Sequence, residues 1–364
     1  MAAMSSPATT PMSLLQRLCA LALVGCSAAA PAGAGVGLVL MPARAELGPV
    51  TVFYPSTSSE QRVERDAVFH LRAAVDGVPA RGNGRLIVLS HGTGALPWVY
   101  GDLARALVEA GFVVALPQHR GDHADDTHLV GPPSWKLRPA EVSATIDSVL
   151  DDPRFAALVD GERVGVYGNS AGGHTALVMA GGRWSPAQLV RHCQAHLEED
   201  FAACVGGVTT LDGGWLDTPK LAVARTVIRW KFAGDSAWYG HTDPRVRAVV
   251  ASVPWAANFD LASLQVPRVP LGLVEAGQDR WLRAAFHVGS VRRACQPCET
   301  VASLPEAGHG AMLSPLPPDM PTTLQPLIAD PPGFDRSVLP ALNRRIADFF
   351  LRHLEVASPS PAGT

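Results

Sequence analysis

Charge of one sign is what this chain most lacks. Across 364 residues, 30 Lys and Arg stand against 33 Asp and Glu, a formal net charge of −3. With no Arg/Lys stripe and no aromatics interleaved among its basic residues, it has no electrostatic footprint for nucleic acid, and that partner class is excluded. Cysteine is also scarce. Of six, two fall before residue 27, leaving Cys193, Cys204, Cys295 and Cys298 as two local pairs. No uninterrupted apolar run reaches the ~20 residues of a membrane-spanning helix. No internal repeat is visible.

The first 45 residues read as an export signal outside the fold. Arg17 is the only charge before Arg44, and Leu18 to Val24 and Gly35 to Met41 are apolar, separated by small residues. Two processing readings stand open. Leu23-Val24-Gly25-Cys26 resembles a lipobox that would place a lipid on Cys26, whereas Ala43-Arg44-Ala45 resembles a cleavage site releasing a protein that begins at Glu46. Export suits the cysteines: in an oxidising compartment they read as the short-loop disulfides Cys193–Cys204 and Cys295–Cys298. Cys295-Gln-Pro-Cys298 as a redox motif would need a helix N-terminus to lower a thiol pKa, and as a zinc half-site it has no second CxxC.

What is present is a run of short apolar strands alternating with helical segments. Val50 to Tyr54, Ala67 to Leu71, Leu86 to Leu89, Phe112 to Leu116, Val164 to Tyr167, Val246 to Ser252, Val269 to Glu275 and Thr300 to Leu304 read as strands. Asp102 to Ala110, Pro139 to Leu150 and Leu339 to Leu354 read as helices, the first stopped by Gly111. The alternation predicts an α/β fold, a mostly parallel sheet covered on both faces, as one domain over 46–356. Residues 181–243 break the pattern and read as a helical and loop insertion lying over a cleft as a cap. Its Trp184, Trp215, Trp230 and Trp238 are expected to pack the insertion's own core. Pro315 to Pro332 reads as a long loop, and 357–364 as a frayed tail.

Gly168-Asn169-Ser170-Ala171-Gly172 sits between a strand and a small-residue helix, the context in which G-x-S-x-G presents a nucleophile on a strained turn. A serine nucleophile needs a base, and the base an orienting acid. Asp279 follows the strand ending at Glu275, and His309 follows the one ending at Leu304, so Ser170, Asp279 and His309 arrive in order, each just past a strand. Asp260, after Val246 to Ser252, is an alternative acid, and Asp212 a weaker one. His119, Asp122, His123, Asp125, Asp126 and His128 form a dense cluster with metal-ligand chemistry but irregular spacing, read as a solvated rim loop. His174 is expected to pack in the first helical turn.

These motifs resemble an α/β-hydrolase. The nearest group is the dienelactone-hydrolase-like one that includes bacterial relatives of platelet-activating-factor acetylhydrolase. Ser90-His91-Gly92-Thr93-Gly94, Pro117-Gln118-His119-Arg120-Gly121-Asp122, Arg138-Pro139-Ala140-Glu141-Val142, the elbow at 168–173 and Gly308-His309-Gly310 carry the resemblance, over roughly Gly48 to Leu354. Serine stands where dienelactone hydrolases have cysteine, so a serine esterase is implied instead. The resemblance implies a Ser170–His309–Asp279 triad acting through an acyl-enzyme. It further implies an oxyanion hole from the Thr93 and Ala171 N–H groups, His91 supporting that loop, a small-molecule ester substrate and no cofactor or metal. Lipase-like or phospholipid acyl-hydrolase activity is the neighbouring alternative. An exported binding protein that kept the fold without the chemistry is the alternative from another class.

Overall fold

Continuous apolar runs, instead of alternating ones, mark strands buried on both faces, and the centre of the molecule is built from them. The computed structural model describes residues 35–316 and 325–355. In chain order the first half comprises β1 (Gly35–Met41), β2 (Val50–Ser56), β3 (Gln61–Arg65), β4 (Phe69–Val75), β5 (Leu86–Ser90), α1 (Gly101–Glu109), β6 (Val113–Pro117), α2 (Pro132–Leu150), β7 (Val164–Asn169) and α3 (Ala171–Met179). An insertion follows: β8 (Arg183–Trp184), α4 (Pro186–His196), α5 (Phe201–Cys204) and α6 (Asp217–Phe232). The rest is β9 (Val246–Ser252), β10 (Phe259–Asp260), β11 (Leu271–Ala276), α7 (Val288–Ala294), β12 (Glu299–Leu304), α8 (Gln325–Ile328) and α9 (Leu339–His353).

One ten-stranded sheet runs in the order β12-β11-β9-β7-β5-β6-β2-β1-β4-β3. From β12 through β6 every pairing is parallel, while β2 joins β6 and β1 antiparallel. Along β5 the side chains alternate between two cores. Leu86 and Val88 face α2 and α3 with Val142 and Leu177, whereas Ile87 and Leu89 face α1 and α9 with Leu107 and Phe350. Chain order reverses at β5, which has β6 on one side and β7 on the other. The carboxyl ends of strands at such a switch point leave a crevice, where open α/β sheets place their sites.

Four sequence readings are corrected. Gly35–Met41, assigned to the leader, is a sheet strand paired with β2 along its whole length, with Leu38 and Met41 buried. An apolar run that would suit a signal peptide suits a buried strand equally well, so processing after Ala45 would strip the sheet of β1. The lipobox at Cys26 and the tail at 357–364 lie outside the described residues. Next, α2 begins at Pro132, not Pro139. Pro132 fits the first turn, where no N–H is needed. Pro139 lies in mid-helix, where it supplies no N–H to the ladder, beside the buried Trp135 and Arg138. Strands β3 and β4 form a hairpin, and the strand read at Ala67 to Leu71 begins at Phe69. Finally, of the insertion's tryptophans only Trp184 is buried. Trp215 and Trp230 are 86% and 85% exposed. Helix α6 turns Ala224 and Ile228 inward, and Trp230, two residues past Ile228, is carried by the 100° step to the far side.

Both expected disulfides form. Cys193–Cys204 ties α4 to α5, and Cys295–Cys298 closes the end of α7. Asp200, just before α5, joins the insertion to the main body, accepting hydrogen bonds from His192 at 2.8 Å and His287 at 3.1 Å. Burial works to raise the Asp200 pKa, but these bonds outweigh it and bring it down to about 2.

Candidate active site

The turn between β7 and α3 places Ser170 at φ 57° and ψ −117°, a region costly for a residue with a side chain. Close approach makes the turn possible. A Cβ on Gly168 would lie 1.9 Å from the Gly172 carbonyl oxygen, and one on Gly172 would lie 1.9 Å from that of Ser90. The backbone is pinned on all sides. The Ser170 N–H donates to Ser252 O at 3.0 Å, and Ser170 O accepts from the His174 and Trp255 N–H groups at 3.0 and 3.1 Å. The strain is thereby over-determined by its surroundings.

His309 opens a short 3-10 turn after β12. Its Nε2 lies 2.9 Å from Ser170 Oγ, and its Nδ1 lies 2.7 Å from Asp279 Oδ2. The loops after β11 and β12 are laced together. Gly277 N–H donates to Leu304 O at 2.9 Å and Gln278 N–H to Ala307 O at 2.8 Å, which brings Asp279 beside His309. The other carboxylate oxygen of Asp279 accepts from the Trp281 and Leu282 N–H groups at 2.9 and 2.8 Å. The acid is buried and its orientation fixed, and the Trp281 ring packs 5.1 Å from the imidazole.

Ala171 is the first residue of α3, so its N–H belongs to the helix N-terminus and has no carbonyl within the helix to meet. Thr93, after β5, faces the same space, and both line a cavity of about 710 Å³ that includes Ser170. The walls are largely apolar. The main body supplies Trp135, Trp255 and Leu282, and the insertion covers them with Phe201, Val223 and Ile228. Insertion residues between Leu189 and Phe232 thus form one side of the cavity.

The alternative acids lie elsewhere. After β9 the chain passes beneath the elbow, where Trp255 binds Ser170 O, and then carries Asp260 to the small β8–β10 pair. There Asp260 meets Arg183 at 2.7 Å and accepts the Ala262 N–H. Asp212 is exposed in a turn near Lys220. The supposed rim cluster splits in two. Asp125 and His128 are exposed and His123 and Asp126 are half-buried, but His119 and Asp122 are wholly buried, which corrects the reading of them as solvated. No group of three potential metal ligands occurs among the described residues. His174, in the first turn of α3, is buried and stacked on Trp135 with ring centroids 4.9 Å apart.

The molecule holds a second Ser–His–acid array, and the sequence reading gave it no role. Ser90 Oγ is 2.8 Å from His119 Nε2, and His119 Nδ1 is 2.6 Å from Glu141 Oε2. All three are buried. Burial, with Arg138 and His123 nearby, holds the His119 pKa well below its usual value, and burial pushes Glu141 up. Beside it Arg138 and Asp122 form an ion pair at 2.8 Å, each with no exposed side-chain surface. For the ion pair alone one signal was readable. Arg138 falls between Trp135 and Val142 on the apolar stripe of α2, a position where a charge implies a buried partner.

No curated protein matches the chain. A ferulic acid esterase from Streptomyces cinnamoneus has a similar structure, with a TM-score of 0.54 over 92% of this chain and 94% of that one, at 18% sequence identity. The family model described as the alpha/beta hydrolase family matches residues 87–322, a span that holds the elbow, Asp279 and His309. The chain therefore belongs to the alpha/beta hydrolase family.

Proposed function

We propose that this protein is an exported serine hydrolase that cleaves carboxylic esters through an acyl-enzyme. One observation carries the reading: His309 within hydrogen-bond reach of both Ser170 Oγ and a buried, backbone-anchored Asp279. His309 takes the Ser170 proton as the oxygen attacks the ester carbonyl. Asp279 keeps the imidazole in the Nδ1–H tautomer and stabilises its charged form. The Thr93 and Ala171 N–H groups receive the charge that develops on the carbonyl oxygen. His309 then protonates the leaving alcohol, and water, deprotonated by the same imidazole, releases the acid.

The apolar cavity supports a bulky, uncharged acyl or alcohol part. Its size also favours a second reading, a lipase-like or phospholipid acyl-hydrolase working on long chains. The similarly folded ferulic acid esterase makes aryl esters sensible first substrates. Export is supported by the two disulfides, and retention of β1 in the sheet requires any cleavage to fall before Gly35. A mature N-terminus at Glu46 on a stable, active protein would overturn that part.

A fluorophosphonate probe and p-nitrophenyl esters of graded acyl length test the whole. Expected are labelling and turnover in the wild type, with both lost in Ser170→Ala and retained in Ser185→Ala. A well-folded wild type inert to both reagents leaves only the binding-protein alternative. The chain-length profile separates short or aryl esters from the lipase-like reading.

A further inference from the structure

Resting on the esterase reading, we infer that the buried Arg138–Asp122 pair is a positioning device for the oxyanion donor at Thr93. The segment His91 to Gly94 is a loop, and a loop N–H aims at a developing charge only if the peptides around it are held. Here they are held on every side. Arg138 Nη1 donates to the His91 carbonyl at 2.5 Å. Arg138 Nη2 donates to Asp122 Oδ2 at 2.8 Å, and its Nε to Ser134 Oγ at 2.9 Å, which fixes the guanidinium. Asp122 Oδ1 in turn accepts the Gly94 N–H at 3.1 Å.

The neighbours complete the clamp. The Tyr100 hydroxyl accepts the Gly92 N–H at 2.9 Å. His91 Nε2 accepts the His119 N–H at 3.1 Å, so the ring proton sits on Nδ1 and goes to the Gly92 carbonyl at 2.7 Å. Burial, with His119 and Arg138 close by, holds the His91 pKa well below its usual value, consistent with that neutral tautomer. In a trans peptide the C=O and N–H point in opposite directions. Holding the Gly92 carbonyl therefore sets the direction of the Thr93 N–H. The amides on either side of Thr93 are committed to buried side chains, and its own is directed at the cavity.

A buried ion pair is weak evidence for stability, because desolvation offsets most of its attraction. Arg138 and Asp122 instead rigidify a catalytic loop. Arg138→Lys keeps the charge but loses the fork that reaches the His91 carbonyl and Asp122 together. The double variant Arg138→Gln/Asp122→Asn removes both charges at once and leaves no unpaired ion to unfold the protein.

The test uses the full chain, with thermal melting to verify the fold, p-nitrophenyl ester kinetics, and the affinity for a trifluoromethyl ketone, whose adduct carries the oxyanion. Either folded variant is expected to lose roughly 30–300-fold in kcat with KM within about 3-fold, as misdirecting one oxyanion donor requires. Affinity for the ketone is expected to fall in proportion. A purely structural role would lower the melting temperature and leave kcat and ketone affinity near wild type, and that result overturns the inference. A wild type that neither turns over esters nor takes the fluorophosphonate label overturns the parent reading and the inference together, which distinguishes the two failures.

Discussion

Two Ser–His–acid arrays stand side by side in this molecule with nearly the same spacing. In Ser170–His309–Asp279 the contacts are 2.9 and 2.7 Å, and in Ser90–His119–Glu141 they are 2.8 and 2.6 Å. Distances alone do not separate them; backbone and surroundings do. Ser170 sits at φ 57° on a turn that opens into the cavity, with the first N–H of a helix beside it. Ser90 is the last residue of a regular strand, fully buried, with no space for a carbonyl carbon to approach. On the proposed reading, such an array supplies a nucleophile only where strain, access and an oxyanion donor coincide, and otherwise the same connectivity is a way to satisfy buried polar groups.

Removing the two serines breaks the comparison most sharply. Ser170→Ala is expected to lower kcat on the order of 10⁴–10⁶-fold and abolish fluorophosphonate labelling without lowering the melting temperature. Ser90→Ala should keep the label at Ser170. Its cost falls on stability, about 1–3 kcal/mol, because His119 Nε2 is left buried without a partner. Kinetics paired with chemical denaturation separate these outcomes, and a large kcat loss at full stability in Ser90→Ala would contradict the division of roles.

The acids sharpen it next. Asp279→Asn should cost about 10⁴-fold in kcat through the wrong imidazole tautomer. Glu141→Gln should leave kcat within about tenfold and reduce stability instead, since a buried hydrogen-bond acceptor is altered. The readout is kcat beside the urea midpoint for each variant.

Only one array was legible in the sequence. Ser170, Asp279 and His309 each follow an apolar run that ends at the sheet's carboxyl edge, and chain order places them there without any long-range information. The second array depends on contacts between the end of β5, the loop after β6 and the middle of α2, a convergence no local pattern encodes. The same limit explains β1. An apolar heptapeptide behind an alanine-rich segment carries the pattern of a leader, and only its pairing with β2 reveals a strand. The exposed Trp215 and Trp230 invert the composition argument, because hydrophobicity says what a side chain prefers, not which way a helix turns it.

pH tests the buried array through stability. Burial holds His91, His119 and His174 well below the usual histidine value. Above about pH 6.5 neither the folded nor the unfolded state protonates them, and their contribution is intact. As pH falls below that, the unfolded chain takes up protons that the folded protein refuses, so stability drops, by up to ~1.4 kcal/mol per pH unit for each histidine. Glu141, pushed up by burial, protonates more readily when folded and offsets part of the slope at lower pH. Melting temperatures from pH 7.5 to 5.5 should fall in the wild type and fall less steeply in His119→Gln. An equal slope in the two would show that His119 is free to protonate where it stands.

The smallest expected effect concerns Asp260, which shares with Asp279 the distinction of following a core strand. Its carboxylate is held by Arg183 at 2.7 Å on the outside of the insertion, and exposed pairs of this kind contribute about 0–1 kcal/mol. Asp260→Asn should therefore leave kcat and KM within about twofold, since the residue touches neither His309 nor the cavity's reacting end. A loss near that of Asp279→Asn would mean that the loop after β9 reaches His309 in the working enzyme. The lacing of the β11 and β12 loops through Gly277 and Gln278 argues against it, because those backbone bonds hold Asp279, not Asp260, against the imidazole.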